Sequence, residues 1–188
     1  MKVLGIMGSP RIKGNTDLLI DEALRGAQAE GAEVEKVVVD KLKITPCKEY
    51  YACERDGNCV IRDDMDTMYP RLLDADVVIV ASPMFFYSIT AQLKAFIDRC
   101  QALWARKYIL GQDPGDTSRK GAFIGVGATK GEQLFDGSIL IMKYFFKVIG
   151  VEYAGELLFK GVDKKGEIRE HPTALGDAYN FGRSLVKR

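Results

Sequence analysis

The sequence holds a single histidine, His171, and that scarcity removes whole classes of chemistry before any motif is read. Ser-His-Asp and Cys-His catalysis would both have to run through that one residue, and zinc sites built from several histidines are excluded. Long apolar runs are missing as well. The opening stretch, residues 1–8, is too short in its apolar run for a secretory signal. The longest apolar run, residues 139–149, contains Lys143 and Lys147 and is too short to span a bilayer. Nor is there an excess of either charge: 27 basic against 26 acidic side chains leave a formal net charge of +1. That balance points away from nucleic acid and from a membrane surface as partners, and away from a shuttle that docks through a strongly acidic face. The four cysteines, Cys47, Cys53, Cys59 and Cys100, come with no export signal. Reduced thiols or metal ligands in a cytoplasmic protein are expected, not a disulfide framework.

What is present suits one well-cored domain over residues 1–188, with 47% hydrophobic and 28% charged side chains. Apolar runs at residues 3–7, 34–39, 77–81, 122–126 and 151–159 read as strands. Between them lie helical patterns at 15–30, 65–73, 134–149 and 173–186, plus one carrying Leu93, Phe96, Ile97, Cys100 and Trp104 on its sheet-facing side. A long cysteine-bearing loop occupies residues 40–63. Alternation of this kind predicts an α/β three-layer sandwich around a parallel sheet. Strands buried on both faces read as unbroken apolar runs, whereas edge strands tolerate charge. The runs at 34–39 (Glu35, Lys36) and 151–159 (Glu152, Glu156) are therefore the expected edges. The result is a five-stranded sheet of order 2-1-3-4-5, the flavodoxin-like arrangement.

The loop after the first strand is Gly8-Ser9-Pro10-Arg11-Ile12-Lys13-Gly14-Asn15-Thr16. Gly8 permits a tight exit from the strand, and Gly14 lets the backbone approach a ligand. Asn15 or Thr16 can cap the following helix, whose first amides and dipole favour an anion. Ser9, Asn15 and Thr16 add neutral donors and Arg11 a forked cation, a set that suits a phosphate monoester. The loop lacks the Lys of a Walker A motif and the spacing of G-x-G-x-x-G. An ordinary capped strand-to-helix turn would have a similar composition.

Two blocks in register carry a resemblance. Gly8-Ser9-Pro10-Arg11 with Gly14-Asn15-Thr16, and Ser82-Pro83-Met84-Phe85-Phe86-Tyr87-Ser88 followed by Gln92-Leu93-Lys94-Ala95-Phe96-Ile97-Asp98-Arg99, resemble the NADPH-dependent FMN reductase and iron–sulfur flavoprotein family. The resemblance implies a flavin mononucleotide (FMN) phosphate in the first loop. It also implies that the second loop (Pro83, Met84, Phe85, Phe86, Tyr87, Ser88) cradles the isoalloxazine ring and ribityl chain. From the residues alone, four bulky side chains in a row cannot all point into a core. A third loop, Gly127-Ala128-Thr129-Lys130-Gly131, leaves the next central strand. By similarity, Gly127, Thr129 and Lys130 should meet the pyrimidine side of the ring, although a plain polar turn would read the same way. No side chain is needed as acid or base.

The resemblance further implies an iron–sulfur cluster in the cysteine loop of some relatives, where four cysteines stand close together. Here Cys47, Cys53 and Cys59 are present and Tyr50 occupies the second place, which argues against a four-iron cluster and leaves open a three-iron cluster or a non-cysteine fourth ligand. Asp63 and Asp64 fit helix capping better than metal binding, the Cys100/Arg106 spacing lacks a glycine cradle, and His171 reads as a surface residue. The expected activity is transfer of hydride from NAD(P)H through FMN to a small electron acceptor, such as a quinone or free flavin. The alternative is an electron-transfer flavoprotein serving a protein partner. The apolar 139–149 segment exceeds what one sheet face requires, so a homodimer or homotetramer is expected.

Overall fold

The computed structural model describes residues 1–112 and 118–187. Its strands are β1 (Lys2–Met7), β2 (Glu33–Val38), β3 (Val77–Pro83), β4 (Lys120–Gly127) and β5 (Glu152–Lys160). The helices are α1 (Asn15–Ala29), α2 (Cys53–Asp56), α3 (Met65–Asp74), α4 (Ala91–Arg99), α5 (Gln101–Tyr108), α6 (Asp136–Val148) and α7 (Ala174–Val186). The sheet runs β2-β1-β3-β4-β5 with every pair parallel, the order expected. Burial explains the order. Residues 77–82 of β3 are all buried, whereas β2 and β5 are exposed or half-buried at all but one position each.

Alternate side chains of each central strand feed two cores, as the strand period requires. On one face Leu4, Ile6, Val78, Val80 and Phe123 pack with α3, α4 and α6. On the other Val3, Met7, Ile79 and Ile124 pack with α1 and α7. The α1–α7 crossing is unusually close because glycines meet backbone. A Cβ on Gly182 would stand 1.8 Å from the Ala23 carbonyl oxygen, and one on Gly26 would stand 2.0 Å from that of Tyr179. Gly182→Ala must therefore push the two helices apart. A loss of about 3 kcal/mol is expected in urea unfolding.

Three local features differ from the sequence expectation. The helix after β3 breaks at Cys100 (ψ 2°) into α4 and α5, where the Arg99 carbonyl accepts a hydrogen bond from the Tyr69 hydroxyl at 2.9 Å. The cysteine loop contains the short helix α2, stopped by Gly57 in the left-handed region at φ 77°. Strand β5 carries an extra residue opposite Gly121/Ala122, accommodated by Gly155 at φ 133°.

Candidate cofactor-binding site

The first loop folds around its own backbone. Gly8 N–H donates to the Ala81 carbonyl at 2.8 Å and anchors the loop on β3. Arg11 N–H donates to Ser9 Oγ (3.1 Å), and Gly14 N–H donates to the Arg11 carbonyl (3.1 Å). A Cβ on Gly14 would lie 2.8 Å from that carbonyl oxygen, so only glycine fits this turn. Lys13 sits at φ 56°, with its N–H on Asp17 Oδ2 at 2.7 Å. The first intrahelical bond of α1 is Leu18 N–H to the Gly14 carbonyl, and no side chain caps the helix. The amides of Asn15, Thr16 and Asp17 have no acceptor among the described residues, the arrangement that favours an anion.

These groups open into a cavity of about 150 Å³. Ser9, Arg11, Gly14, Asn15 and Thr16 line it from one side, and Pro83, Met84 and Phe85 from the other. Val162 and Asp163, which follow β5, complete its wall and were not anticipated from the sequence. Their one signal is topological: the segment leaving β5 emerges on the same rim as the other loops. The side chain of Asn15 is engaged elsewhere than expected. It donates to the Lys164 carbonyl at 2.9 Å and accepts from Ile168 N–H at 3.2 Å, leaving only its main-chain amide for a ligand. Arg11 Nη1 likewise reaches the Asp163 carbonyl, at 3.3 Å.

The second loop leaves β3 with Met84 N–H on the Val126 carbonyl at 2.7 Å. Phe85 and Ser88 then exchange main-chain hydrogen bonds of 2.8 and 3.0 Å. Between them Phe86 (φ 49°) and Tyr87 (φ 60°) both occupy the left-handed region, as in a type I′ turn. That conformation costs of order 1–3 kcal/mol for each non-glycine residue. Phe86 is fully exposed and Phe85 and Tyr87 are about half exposed, so the aromatic run is presented outward. In the third loop the carbonyls of Gly127 and Thr129 accept from Val162 and Gly161 at 3.1 and 3.4 Å, while the amides of Ala128, Thr129 and Lys130 have no acceptor among the described residues. A Cβ on Gly131 would meet the Tyr87 hydroxyl at 2.4 Å, so the second and third loops touch. Phe86, Tyr87, Ser88, Gly127, Thr129 and Lys130 thus share the rim without lining the 150 Å³ cavity.

On the α3–α6 side of the sheet, Cys47, Cys53 and Cys59 are half-buried around a second cavity of about 540 Å³. Arg99 holds the loop that carries them. Its side chain has no exposed surface and donates to the Thr45 carbonyl (2.8 Å), Asp63 Oδ2 (2.6 Å) and the Ile61 carbonyl (3.1 Å). Burial of Asp63 opposes its ionisation. The Arg99 hydrogen bond, with those from the amides of Thr45 and Met65, nonetheless holds its carboxyl below the usual carboxylate range. Asp63 caps α3 through Met65 N–H (3.0 Å) as expected, but its ion pair was not foreseen. Asp64 accepts from Lys43 N–H at 2.7 Å. Burial pushes the Cys100 thiol up, and Arg106 turns to the Gly57 carbonyl and Asn58, so these two do not act together. His171 is exposed, and its Nδ1 accepts from Ala174 N–H at 3.2 Å at the start of α7.

The parallel sheet of order 2-1-3-4-5, with three loops leaving the carboxyl ends of β1, β3 and β4, defines a flavodoxin-like protein. A solved NAD(P)H:quinone oxidoreductase from Methanothermobacter marburgensis has the same fold, with a TM-score of 0.71 at 18% identity over 100% of this chain and 97% of that one. The profile described as NADPH-dependent FMN reductase matches residues 1–134, and the chain belongs to that family. An iron–sulfur flavoprotein of Archaeoglobus fulgidus is 46% identical over 99 residues, 53% of this chain and 45% of that protein. The Bacillus subtilis protein YwqN, named provisionally as an NAD(P)H-dependent FMN-containing oxidoreductase, is 29% identical over 95% of this chain and 94% of its own. The chain spans about half the length of most of the iron–sulfur flavoproteins it matches. Among the described residues no helix is long and apolar enough to cross a membrane.

Proposed function

We propose that residues 1–188 act as one FMN-dependent NAD(P)H oxidoreductase that passes reducing equivalents to a small acceptor such as a quinone or free flavin. The observation that carries this reading is the unpartnered amide set at Asn15, Thr16 and Asp17 facing a cavity bounded by Pro83, Met84 and Phe85. Those amides, with the Thr16 hydroxyl, would hold the phosphate, and Arg11 would add charge from the cavity mouth. The outward aromatic turn at Phe85, Phe86 and Tyr87 offers flat apolar surface for the ring. The amides of Ala128, Thr129 and Lys130 offer donors to its pyrimidine edge. Bound FMN would supply the two-electron redox chemistry, accepting hydride from a nicotinamide and releasing it to the acceptor. Protein loaded with FMN should oxidise NADH or NADPH with menadione or free flavin as acceptor. Firmly bound flavin without turnover against any acceptor would sink the reading.

The same reading includes self-association. Helix α6 buries Met142, Phe145 and Phe146 but exposes Leu140 and Tyr144 beside an apolar groove of about 380 Å³ shared with Ile97 and Trp104. A second copy seated on this face would cover them. Light scattering should give a dimer or tetramer mass, and Leu140→Glu should shift it towards monomer.

A further inference from the structure

The second cavity does not suit the group that the names of the archaeal relatives imply. A four-iron cluster takes four thiolates. The loop supplies Cys47, Cys53 and Cys59, and Tyr50 is 60% exposed at its mouth. Among the described residues no three His, Cys, Asp or Glu side chains converge closely enough to hold one metal ion. Yet the loop is built, not slack: Arg99 ties down Thr45 at one end and Ile61 and Asp63 at the other. Glu49 (φ 52°) and Tyr51 (φ 55°) are held in the left-handed region between those anchors.

We propose that the 540 Å³ cavity lined mainly by the clamped 45–63 loop binds a flat, uncharged, conjugated carbonyl compound of the quinone type, with the thiols of Cys47, Cys53 and Cys59 as apolar wall in place of iron ligands. The volume falls within the range of small-molecule sites, about 300–1,000 Å³. Thiols that are not ionised behave as small hydrophobic groups. Tyr50 and Tyr51 supply faces for stacking, and their hydroxyls, with the Gln101 amide and Lys48, are donors for carbonyl oxygens. The charges select against anions. Lys48 stands beside Glu49 and Glu54 in the wall, and Asp98 is already paired with Lys94 at 2.6 Å. No concentration of positive charge is available for a phosphate or carboxylate. This cavity and the 150 Å³ cavity have no lining residue in common, so the site goes beyond the flavin site proposed above.

Equilibrium dialysis of the purified full chain against duroquinone tests this, because its fully substituted ring cannot add a thiol. No nicotinamide is present, so binding is read without turnover. Saturable binding at one site per chain besides any acceptor site at the flavin is expected, that site weakened at least tenfold in Tyr51→Ala, with the variant's melting temperature and bound flavin unchanged. Anthraquinone-2-sulfonate should bind at least tenfold more weakly than duroquinone, and duroquinone should slow alkylation of Cys53 by iodoacetamide. The proposal is overturned if no binding occurs, if the Tyr51→Ala affinity is unchanged, or if FMN displaces the quinone competitively. Stoichiometric iron and sulfide in anaerobically purified protein, lost in Cys53→Ser, would also overturn it. Failure to oxidise NAD(P)H would refute the oxidoreductase reading alone, since this measurement does not use it.

Discussion

Thr16→Asp is expected to weaken FMN binding by a hundredfold or more while leaving the fold intact. Thr16 lines the small cavity at the amino end of α1, and its hydroxyl has no hydrogen-bond partner among the described residues. Replacing it therefore breaks nothing internal. A carboxylate there would stand close to a phosphate ester held by the Asn15–Asp17 amides. Two like charges about 4 Å apart repel by about 4 kcal/mol at an effective dielectric constant of 20. A hundredfold loss is about 2.7 kcal/mol, so even a partly screened charge suffices. Titration of apoprotein with FMN, followed by flavin fluorescence, measures the change. Thr16→Ser keeps the hydroxyl and should bind within a few-fold of the parent. Equal affinities for the Asp and Ser variants would show that the phosphate does not lie at this helix end.

Arg99→Met should be the most destabilising single change on the other face. It leaves Asp63, whose side chain is 8% exposed, without its cation, and it frees the Thr45 and Ile61 carbonyls. Breaking a buried pair by removing one partner costs about 3–5 kcal/mol. Arg99→Met with Asp63→Asn should cost less than the two single changes added together, because no orphaned charge remains. The pair also makes stability depend on pH. The folded carboxyl titrates below its unfolded value, so its contribution is complete above roughly pH 4. It is lost as pH falls through the depressed folded value, because the unfolded chain then binds the proton more readily. Urea midpoints of the parent should fall steeply below pH 4, and those of Asp63→Asn should fall less.

The parts of this molecule that could be read from its sequence are those governed by short-range pattern. The unbroken apolar run of β3 and the charges at Glu35, Lys36, Glu152 and Glu156 set the sheet order, because burial on both faces admits no charge. Gly8 and Gly14 likewise marked a loop where backbone must approach closely. Illegible were the features that depend on distant partners. Arg99 ends an amphipathic helix, where a cation ordinarily faces water, and nothing nearby announces Thr45, Ile61 and Asp63. Val162 and Asp163 lie about 150 residues from the loop they complete. Phe86 and Tyr87 adopt a turn usually made by Asn and Gly, so their residue types misdirect a local reading.

The family match ends at residue 134, yet the Asn15 side chain fastens the start of α1 to Lys164 and Ile168. Whatever steadies the loop after β1 must then also steady the chain between β5 and α7. Amide hydrogen exchange at Ile168 should slow when FMN is added, although that residue lies outside the cavity wall. On the proposed phosphate site, a fragment cut after the matched region is expected to lose flavin binding, because the latch on Asn15 is carried by Lys164 and Ile168.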